Sequence, residues 1–538
     1  MTIPNISNVF SLDSHYKEFK SLLELAQHCL DQGQLESAAV YTQVAGSYAW
    51  FNHTGLFACP ELENILGKLA THLTATDNSS KRTHQTHEVL HVATEVYQTG
   101  GPTQAIACWI AQDSSRHHRV CLTRQGYSSI PEKITTRLTA QSDLLLLDNK
   151  SGGLLRRAAT LREIAQGVDV ILLHSHPYDV VPILAFSGVS NYPPVIYVNH
   201  ADHVFWLGTS VANVVLNMRD SGQALAVDRR GVDPTRSIVM ERPLCSIGRS
   251  LSREEAKRQL NIRPEQVLVV TTADAPKYRA VTGPSLLDII VPVFERHDNA
   301  LLLAAGPAPE DEWAVAEKRT QGRVKALGRL PNVTLLHQAA DIYIDSFPFS
   351  SLTSLIEAGS NGTPVITYRG HPEECAVLGA DTHGVDEYMC RPTSVKELQS
   401  ELSCMITDTE WRDDLGKKIQ QAILKNHQGE VWRTSVSKAY DIAARSDLPI
   451  TVSVPARKCG PLDVLVNLIM EETGYCKGVT GAMRDNLGLF PAGQRVAEWV
   501  KLARNGEPLP LRYLLPEWLL IPLGRCWRMV RRASVSKT

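Results

Sequence analysis

The sequence has little excess charge and no long apolar run, and both deficits exclude classes of protein. Its 55 Lys and Arg residues nearly balance its 57 Asp and Glu residues, for a formal net charge of −2. Such a chain has no overall electrostatic attraction to nucleic acid. It lacks an uninterrupted apolar span of about 18 residues, the length of a membrane-spanning helix. Its first residues, MTIPNISNVFSLDSHYKEF, lack the basic and apolar regions of a signal peptide.

The cysteines are scattered along the chain. The 11 cysteines form no CxxC pair, and their number is odd. This distribution is typical of reduced thiols rather than of a disulfide framework. Together with the missing signal peptide and apolar span, it predicts a cytoplasmic protein. The length of 538 residues predicts three or four structural units at about 150 residues each.

The C-terminal residues depart from the even distribution of charge. LRYLLPEWLLIPLGRCWRMVRRASVSKT places Leu, Trp and Ile beside Arg525, Arg528, Arg531 and Arg532. This mixture suits the surface of an anionic bilayer. A segment packed on its own domain, with a frayed basic end, explains the pattern as well. Peripheral membrane contact through this tail is therefore one of two interpretations.

The chain begins with a pattern typical of helices. From about residue 16 to 75, apolar residues recur at spacings of three and four, with a break at Gly33. Two such helices resemble one tetratricopeptide-like hairpin, but no second copy follows, which favours a helical cap on the next domain. The polar stretch TATDNSSKRTHQTH then indicates a linker. We assign residues 1–80 to an N-terminal helical segment.

After the linker, strands alternate with helices. EVLHVATEVY, VDVILLHSH and PPVIYVNHADH are apolar runs rich in β-formers, and EQVLVVTTADAPKYR, NALLLAAGP, IYIDSFP and TPVITYRG form a second series. This alternation predicts two successive α/β domains, each with a parallel, doubly wound sheet. We place them at residues 85–247 and 248–445, the second ending in helices from about 395, and a C-terminal extension at 446–538.

Polar residues follow several of these strands, where ligands bind in open parallel sheets. In the first domain, Thr99 precedes Gly100 and Gly101, a turn that a phosphate or sugar can approach without meeting a Cβ atom. A plain tight turn accounts for two glycines equally well.

Two other strand ends of the first domain carry histidines. His174 and His176 follow one strand, and His200 and His203 follow the next, with Asp202 between them. Three interpretations are open: a zinc site, structural histidines, or a general base for removing a proton from a hydroxyl. We favour the last and name His203, Asp202 and His176 as the catalytic candidates.

The second domain offers groups for a diphosphate. Lys277 and Arg279 follow its first strand and provide charge-assisted hydrogen bonds. A later strand runs through DSFPFSSLTSLIEAGSNG, where a helix begins near Ser350, Ser351 and Thr353. Either a serine caps this helix, or its N-terminus binds an anion.

Here the residues resemble a family. From Val267 to Gly370 the sequence is similar to the nucleotide-sugar half of GT-B fold glycosyltransferases, with LHQAADIYIDSFPF leading to SLTSLIEAGSNGTPVIT, VKALGRL before the helix, and a TGG turn in the N-terminal domain. The resemblance implies two Rossmann-like domains facing a cleft. It also implies phosphate contacts from Lys277, diphosphate contacts from Ser351 and Thr353, and a ribose contact from Glu357. Because Lys277 and the helix end can offset the charge of the leaving diphosphate, we expect no metal or other cofactor.

One departure from the family bears on stereochemistry. Retaining members carry a Glu eight residues before the ribose Glu, and Phe349 occupies that position. The turn resembles inverting members such as the O-linked N-acetylglucosamine transferase group. We expect transfer of a sugar from a nucleoside-diphosphate donor, UDP by preference, to a glycan, protein or lipid-linked acceptor. The alternatives are a nucleotide-sugar 2-epimerase and a non-catalytic member that binds a nucleotide sugar or a protein.

Overall fold

The computed structural model describes residues 7–73, 87–188, 192–245, 248–379, 381–446, 450, 456–507, 509–521 and 523–524. Across these ranges, every helix is too short or too polar to cross a bilayer. Most of the TATDNSSKRTHQTH linker and all of the arginines named in the C-terminal tail lie outside the described residues.

The chain opens with three helices, α1 (Ser7–Asp31), α2 (Leu35–Phe51) and α3 (Pro60–Ala70). The break predicted at Gly33 is confirmed, since this glycine adopts a left-handed φ of 69° between α1 and α2. α1 and α2 are antiparallel partners, and α2 packs against helices of the first α/β domain. The helical segment therefore caps that domain, as predicted.

The first domain contains a seven-stranded, fully parallel sheet in the order β3-β2-β1-β4-β5-β6-β7. Its strands are β1 (Glu88–Ala93), β2 (His117–Leu122), β3 (Leu144–Leu146), β4 (Val170–His174), β5 (Val195–Asn199), β6 (Val214–Asn217) and β7 (Ser237–Val239). Its helices are α4 (Gly101–Gln112), α5 (Glu132–Thr135), α6 (Leu154–Ala165), α7 (Val180–Phe186) and α8 (Asp220–Arg230). β4, β5 and β6 are buried along their whole length, as expected for a sheet covered on both faces.

The second domain contains a five-stranded parallel sheet in the order β10-β9-β8-β11-β12. Its strands are β8 (Val267–Thr272), β9 (Ala300–Ala305), β10 (Val324–Ala326), β11 (Ile342–Ile344) and β12 (Val365–Ile366). Its helices are α9 (Arg253–Gln259), α10 (Leu286–Arg296), α11 (Asp311–Arg319), α12 (Thr334–Ala339), α13 (Leu352–Ser360), α14 (Val395–Thr407) and α15 (Thr409–His427). Every strand predicted from the two apolar series is present.

The helices that follow α15 return to the beginning of the chain. α16 (Gly429–Arg445), which the sequence places in the second domain, packs Trp432 and Val436 against Ile196 of the first sheet. α17 (Pro461–Glu472) packs against α1, α18 (Gly478–Asn486) packs against α2, and α19 (Ala492–Arg504) packs against α18. Polar contacts join the two ends: the Tyr41 hydroxyl donates to Glu498 at 2.8 Å.

One cysteine pair was not predicted. Cys108 of α4 and Cys245, which lies 137 residues later, form a disulfide. The other described cysteines are free, in agreement with the expectation of reduced thiols for those residues.

Candidate functional site

Residues that follow strands of both sheets line one cleft of about 600 Å³. The predicted residues that line it are Gly100, Gly101, Asp202, His203, Lys277, Ser350, Ser351, Thr353 and Glu357. Its remaining charged groups are Lys133, Arg219, Arg242, Asp274 and Arg329. The cleft therefore combines the polar strand ends of both domains, as the parallel topology requires.

The N-terminus of α13 faces this cleft without a side-chain cap. Ser351 is the N-cap residue, and its hydroxyl makes no capping hydrogen bond. Asp345, at the end of β11, instead accepts from the backbone N–H groups of Ser346 and Ser351, both at 2.9 Å, and so fixes the loop before the helix. Asp345 thus engages the N–H group of Ser351, whereas the N–H groups of the first turn of α13 have no capping side chain and keep a partial positive charge. The capping interpretation of this serine pair does not hold for Ser351.

Lys277 lies beside this helix end. Its ammonium donates to the Ser350 carbonyl at 2.7 Å and lies 4.4 Å from the centre of the Phe349 ring. Burial lowers the pKa of Lys277 to about 8, with Asp345 opposing the shift. The side chain is therefore mostly charged at pH 7 and is poorly hydrated, which strengthens its attraction for an anion.

Arg242, which lies between β7 and the second domain, is a cleft residue that the sequence did not reveal. It is 7% exposed and donates to Thr353 of the second domain and, at 3.3 Å, to the His200 ring. Gly101 lies against the same groups, because a Cβ atom there would be 2.7 Å from the guanidinium and 2.8 Å from Thr353 Oγ1. The TGG turn thus allows the first domain to approach α13.

Glu357 projects from α13 into the cleft, partly buried. Burial raises the pKa of its carboxyl group, and the nearby charges of Arg242 and Lys133 oppose this shift. No ion pair within 4 Å engages this carboxylate among the residues that the structure describes. It can therefore accept hydrogen bonds from a bound hydroxyl.

His203 and Asp202 form a pair at the first-domain wall. The His203 Nδ1 atom lies 3.4 Å from Asp202 Oδ1, while Arg219 binds the same carboxylate through two nitrogens at 2.6 and 2.8 Å. Burial favours the neutral carboxyl, but Arg219 outweighs it and holds the pKa of Asp202 well below its usual range. Burial also lowers the pKa of His203, partly against the effect of Asp202.

These shifts assign different chemistry to the two groups. Asp202 stays ionised and is a weak base, so it acts as an acceptor that orients His203. His203 is neutral at pH 7, and a proton on Nδ1 leaves Nε2 with a free lone pair. Such an imidazole can accept a proton from a hydroxyl in the cleft.

Two predicted residues lie elsewhere. His176 contacts the hydroxyl groups of Tyr97 and Tyr178 at 3.1 and 3.2 Å and is not among the residues that line the cleft. Arg279 is exposed and donates to the Glu472 carbonyl of α17 at 2.7 Å. The structure therefore does not bring either of them to Lys277 and α13.

The histidine pairs do not assemble into a metal site. Within the described ranges, no group of three or more His, Cys, Asp and Glu side chains is arranged to hold a metal ion. His203 pairs with Asp202, and His174 with His200, in separate contacts.

The sequence contains only weak indications of Arg219 and Arg242, two cleft residues that were not predicted. Arg219 and Arg242 each follow a strand by two or three residues, as the predicted site residues do. Isolated arginines at such positions are usually solvated, so only their convergence in space identifies them.

Comparisons with known proteins identify the fold. No family model matches the sequence. Among solved structures, a glycosyltransferase from Rickettsia africae is 13% identical, matches 68% of this chain and 100% of its own, and gives a TM-score of 0.51. Anabaena HepE, solved with UDP and glucose, is 15% identical over 66% of this chain and 100% of its own, with a TM-score of 0.49. An O-GlcNAc transferase from Thermobaculum terrenum is 14% identical over 80% of this chain and 85% of its own, with a TM-score of 0.43.

One curated protein matches by sequence. Histidinol-phosphate aminotransferase 1 from Idiomarina loihiensis is 30% identical over 181 residues. This match spans 32% of the present chain and 48% of that protein, so it assigns no activity. The likeness to the Rickettsia glycosyltransferase and the two parallel sheets confirm the predicted fold: the chain has the two-domain α/β GT-B fold.

Proposed function

We propose that this chain, built on the GT-B fold, is a glycosyltransferase that moves a sugar from a UDP-sugar to a hydroxyl acceptor with inversion. One observation carries the proposal: the uncapped N-terminus of α13 and the Lys277 ammonium converge on a cleft between two Rossmann-like domains. A helix end and a cation together favour a diphosphate.

The donor would lie mainly against the second domain. Its diphosphate would accept hydrogen bonds from Lys277, from the Ser351 hydroxyl, and from the backbone and hydroxyl groups of Thr353. The ribose diol would donate to Glu357, one to two turns further along α13. This arrangement supplies positive charge at the leaving group without a bound metal, which is the electrostatic stabilisation that the reaction requires.

The group that accepts the proton in the transfer step would come from the opposite wall of the cleft, which the first domain forms. The acceptor hydroxyl would give its proton to His203 Nε2 while its oxygen forms a bond to the anomeric carbon. The bond from that carbon to the diphosphate breaks at the same time, and the diphosphate leaves with the electron pair. Lys277 and α13 offset the charge that develops on it, and Asp202 stabilises the protonated His203.

Inversion is supported by the residue at position 349. Phe349 places an apolar ring beside His203 and Lys277, where retaining members of the family that the sequence resembles carry a carboxylate. With one displacement at the anomeric carbon and no second nucleophile at this position, the configuration of the sugar inverts.

The acceptor is proposed to be a glycan, a protein or a lipid-linked molecule.

Leu511 and Leu523 near the described C-terminus are 70% and 54% exposed, and the basic tail follows them in sequence. Peripheral membrane contact through this end stays a proposal. Co-sedimentation with anionic and neutral vesicles, before and after removal of residues 525–538, tests it.

A thermal-shift screen with UDP, GDP, TDP and CMP tests the donor. A ligand at 100 times its dissociation constant stabilises the protein by about 2.7 kcal/mol. We expect UDP to raise the midpoint most. NMR of the protein with the sugar donor alone then separates the candidates: a 2-epimer would identify an epimerase, slow hydrolysis agrees with a transferase, and binding with neither identifies a non-catalytic member.

A further inference from the structure

Four histidines lie on one diagonal across the first sheet. His118 of β2, His91 of β1 and His174 of β4 lie on three adjacent strands, and His200 directly follows β5, the next strand of the sheet. In the ladder, His118 pairs with Val89, two residues before His91, and His91 pairs with Leu172, two residues before His174. Each of these steps moves one strand sideways and two residues forward. Since Leu173 pairs with Tyr197, continuing this register puts Val198 opposite His174, so His200 is again two residues forward, and all of these side chains share one face.

The imidazoles form a continuous hydrogen-bonded chain, which we call the imidazole chain. The nitrogen-to-nitrogen distances are 3.0 Å from His118 to His91, 3.2 Å from His91 to His174, and 2.9 Å from His174 to His200. The ring centres are 5.2 to 5.3 Å apart throughout. His91, His118 and His174 are at most 4% exposed, so the hydrogen bonds are shielded from water.

The two ends of the chain fix its direction. His118 Nε2 lies 2.8 Å from the Asp113 carbonyl, which can only accept, and the Arg242 guanidinium, which can only donate, lies 3.3 Å from His200 Nδ1. If every ring is neutral, each must carry its proton on Nε2 and accept on Nδ1. Burial lowers the pKa of every ring in the chain, in agreement with four neutral imidazoles.

Arg242 is a buried cation with an unused hydrogen-bond donor. Its Nε atom has no hydrogen-bond partner, and no carboxylate lies within 4 Å of the guanidinium, among the residues that the structure describes. Arg219, in the same cleft, is instead neutralised by Asp202. An unpaired guanidinium that is 7% exposed and lies beside the N-terminus of α13 is suited to an anionic ligand.

We propose that Arg242 binds a phosphate oxygen of the donor's diphosphate and that the imidazole chain positions its guanidinium for this contact. The inference rests on the proposed function, to which it adds a binding residue and the residues that hold it. A neutral imidazole is an apt support, because it accepts a hydrogen bond from the guanidinium without cancelling its charge. A carboxylate in place of His200 would neutralise the cation and weaken its attraction for phosphate.

Calorimetric titration of the full chain with UDP, uridine and inorganic pyrophosphate tests the role of Arg242. We expect Arg242→Gln to weaken binding of UDP and pyrophosphate by about 10- to 100-fold, the effect of losing a charge-assisted hydrogen bond, and to leave uridine binding unchanged. Arg242→Lys keeps the charge and should lose less. Arg258→Gln, which removes an exposed arginine of α9, is the matched control.

The outcomes separate this inference from the proposed function. If the parent binds UDP and Arg242→Gln binds it equally well, Arg242 is not a phosphate ligand and this inference alone fails. If the parent binds neither UDP, GDP nor pyrophosphate, both fail. Equal losses of UDP and uridine binding would indicate a damaged fold and would also overturn the assignment.

The imidazole chain has its own test. NMR of the protein labelled with ¹⁵N-histidine should show four neutral rings protonated on Nε2, and a charged or Nδ1-protonated ring among them would overturn the chain. His174→Leu, which breaks the chain away from the cleft, should weaken UDP binding by roughly 2- to 10-fold and spare uridine. Unchanged UDP affinity in this variant would show that the chain does not position Arg242.

Discussion

The ring of Phe349 packs against the ring of His203, with their centres 4.3 Å apart. Phe349 comes from the loop before α13 and His203 from the end of the first sheet, so this contact joins the two walls of the cleft. The same aromatic ring lies under the Lys277 ammonium. The candidate base and the candidate phosphate ligand are therefore held on one apolar side chain.

Replacing His203 should affect turnover more than donor binding. We expect His203→Gln to lower the rate of sugar transfer by about 100-fold or more, a typical contribution of a general base, with nearly unchanged UDP affinity. Asp202→Asn should lower the rate and also destabilise the fold, because it leaves Arg219 buried without its partner. His28→Gln, on an exposed part of α1, is the control.

His176, the other histidine candidate, belongs in the same series. Because its ring lies between two tyrosine hydroxyls outside the cleft lining, His176→Gln should keep most of the transfer rate. Normal turnover in both His203→Gln and Asp202→Asn would place the base elsewhere. A loss confined to His176→Gln would identify that residue as the base instead.

Donor affinity should fall as pH rises through the pKa of Lys277. This pKa is about 8 in the free protein, and a bound diphosphate would raise it, so UDP binding takes up a proton above pH 8 and weakens there. Calorimetry from pH 6.5 to 9.5 measures the effect, and Lys277→Arg, which stays charged, corrects for titration of UDP itself. A parallel pH dependence in both proteins would exclude Lys277 as a ligand.

The lowered pKa of Lys277 also predicts how the free energy of unfolding depends on pH. The pKa of Lys277 is about 8 in the folded protein, below its ordinary value of 10.5. Between pH 8 and 10.5 the unfolded chain therefore binds more protons than the folded protein. The contribution of Lys277 to the free energy of unfolding should therefore rise with pH from about 8 to 10.5. Denaturant unfolding of the parent and of Lys277→Met, without ligand, measures this slope.

Glu357 should recognise the ribose rather than the diphosphate. We expect Glu357→Gln to weaken UDP binding by roughly 10-fold, because a charge-assisted hydrogen bond from the ribose diol is lost. A 2′-deoxy analogue of UDP should lose less affinity from the same substitution. Equal losses for the two ligands would contradict a contact with the 2′-hydroxyl.

Gly306, which follows β9 at the cleft, should not tolerate a side chain. Its φ is 125°, and a Cβ atom there would overlap the Ala273 carbonyl oxygen. Gly322 also has a positive φ, 83°, but a Cβ atom added to it would meet nothing within 4 Å. Gly306→Ala should therefore destabilise the fold by about 1 to 3 kcal/mol more than Gly322→Ala. Equal losses of unfolding free energy would show that the loop simply moves aside.

Chelation should leave the protein active. Lys277 and the first turn of α13 provide positive charge where the leaving diphosphate would lie, so we expect exhaustive treatment with EDTA to change neither UDP affinity nor turnover. Metal analysis of the treated protein completes the experiment. Activity that disappears on chelation and returns with one divalent cation would require a different account of the leaving group.

The architecture and much of the cleft could be predicted from local sequence patterns. Apolar runs such as VILLH of β4 repeat with helices between them, and this pattern suffices to predict parallel sheets because burial on both faces demands it. The topology then places polar residues after the strands at one edge. Lys277, Ser351 and His203 were found in this way, since each follows a strand or lies at the start of a helix, whereas Glu357 was implied by the resemblance to GT-B glycosyltransferases.

Which charges meet could be learned only from the folded chain. Arg242 reaches Thr353 across 111 residues, and Arg219 neutralises Asp202 across 17, and neither pairing has a local signature. In the sequence, His91 and His118 are indistinguishable from ordinary strand residues. Only the register of three strand pairs aligns them with His174 and His200. Side-chain direction and strand register depend on packing between distant segments, whereas the periodicity that predicts strands and helices depends only on residues that are neighbours in sequence.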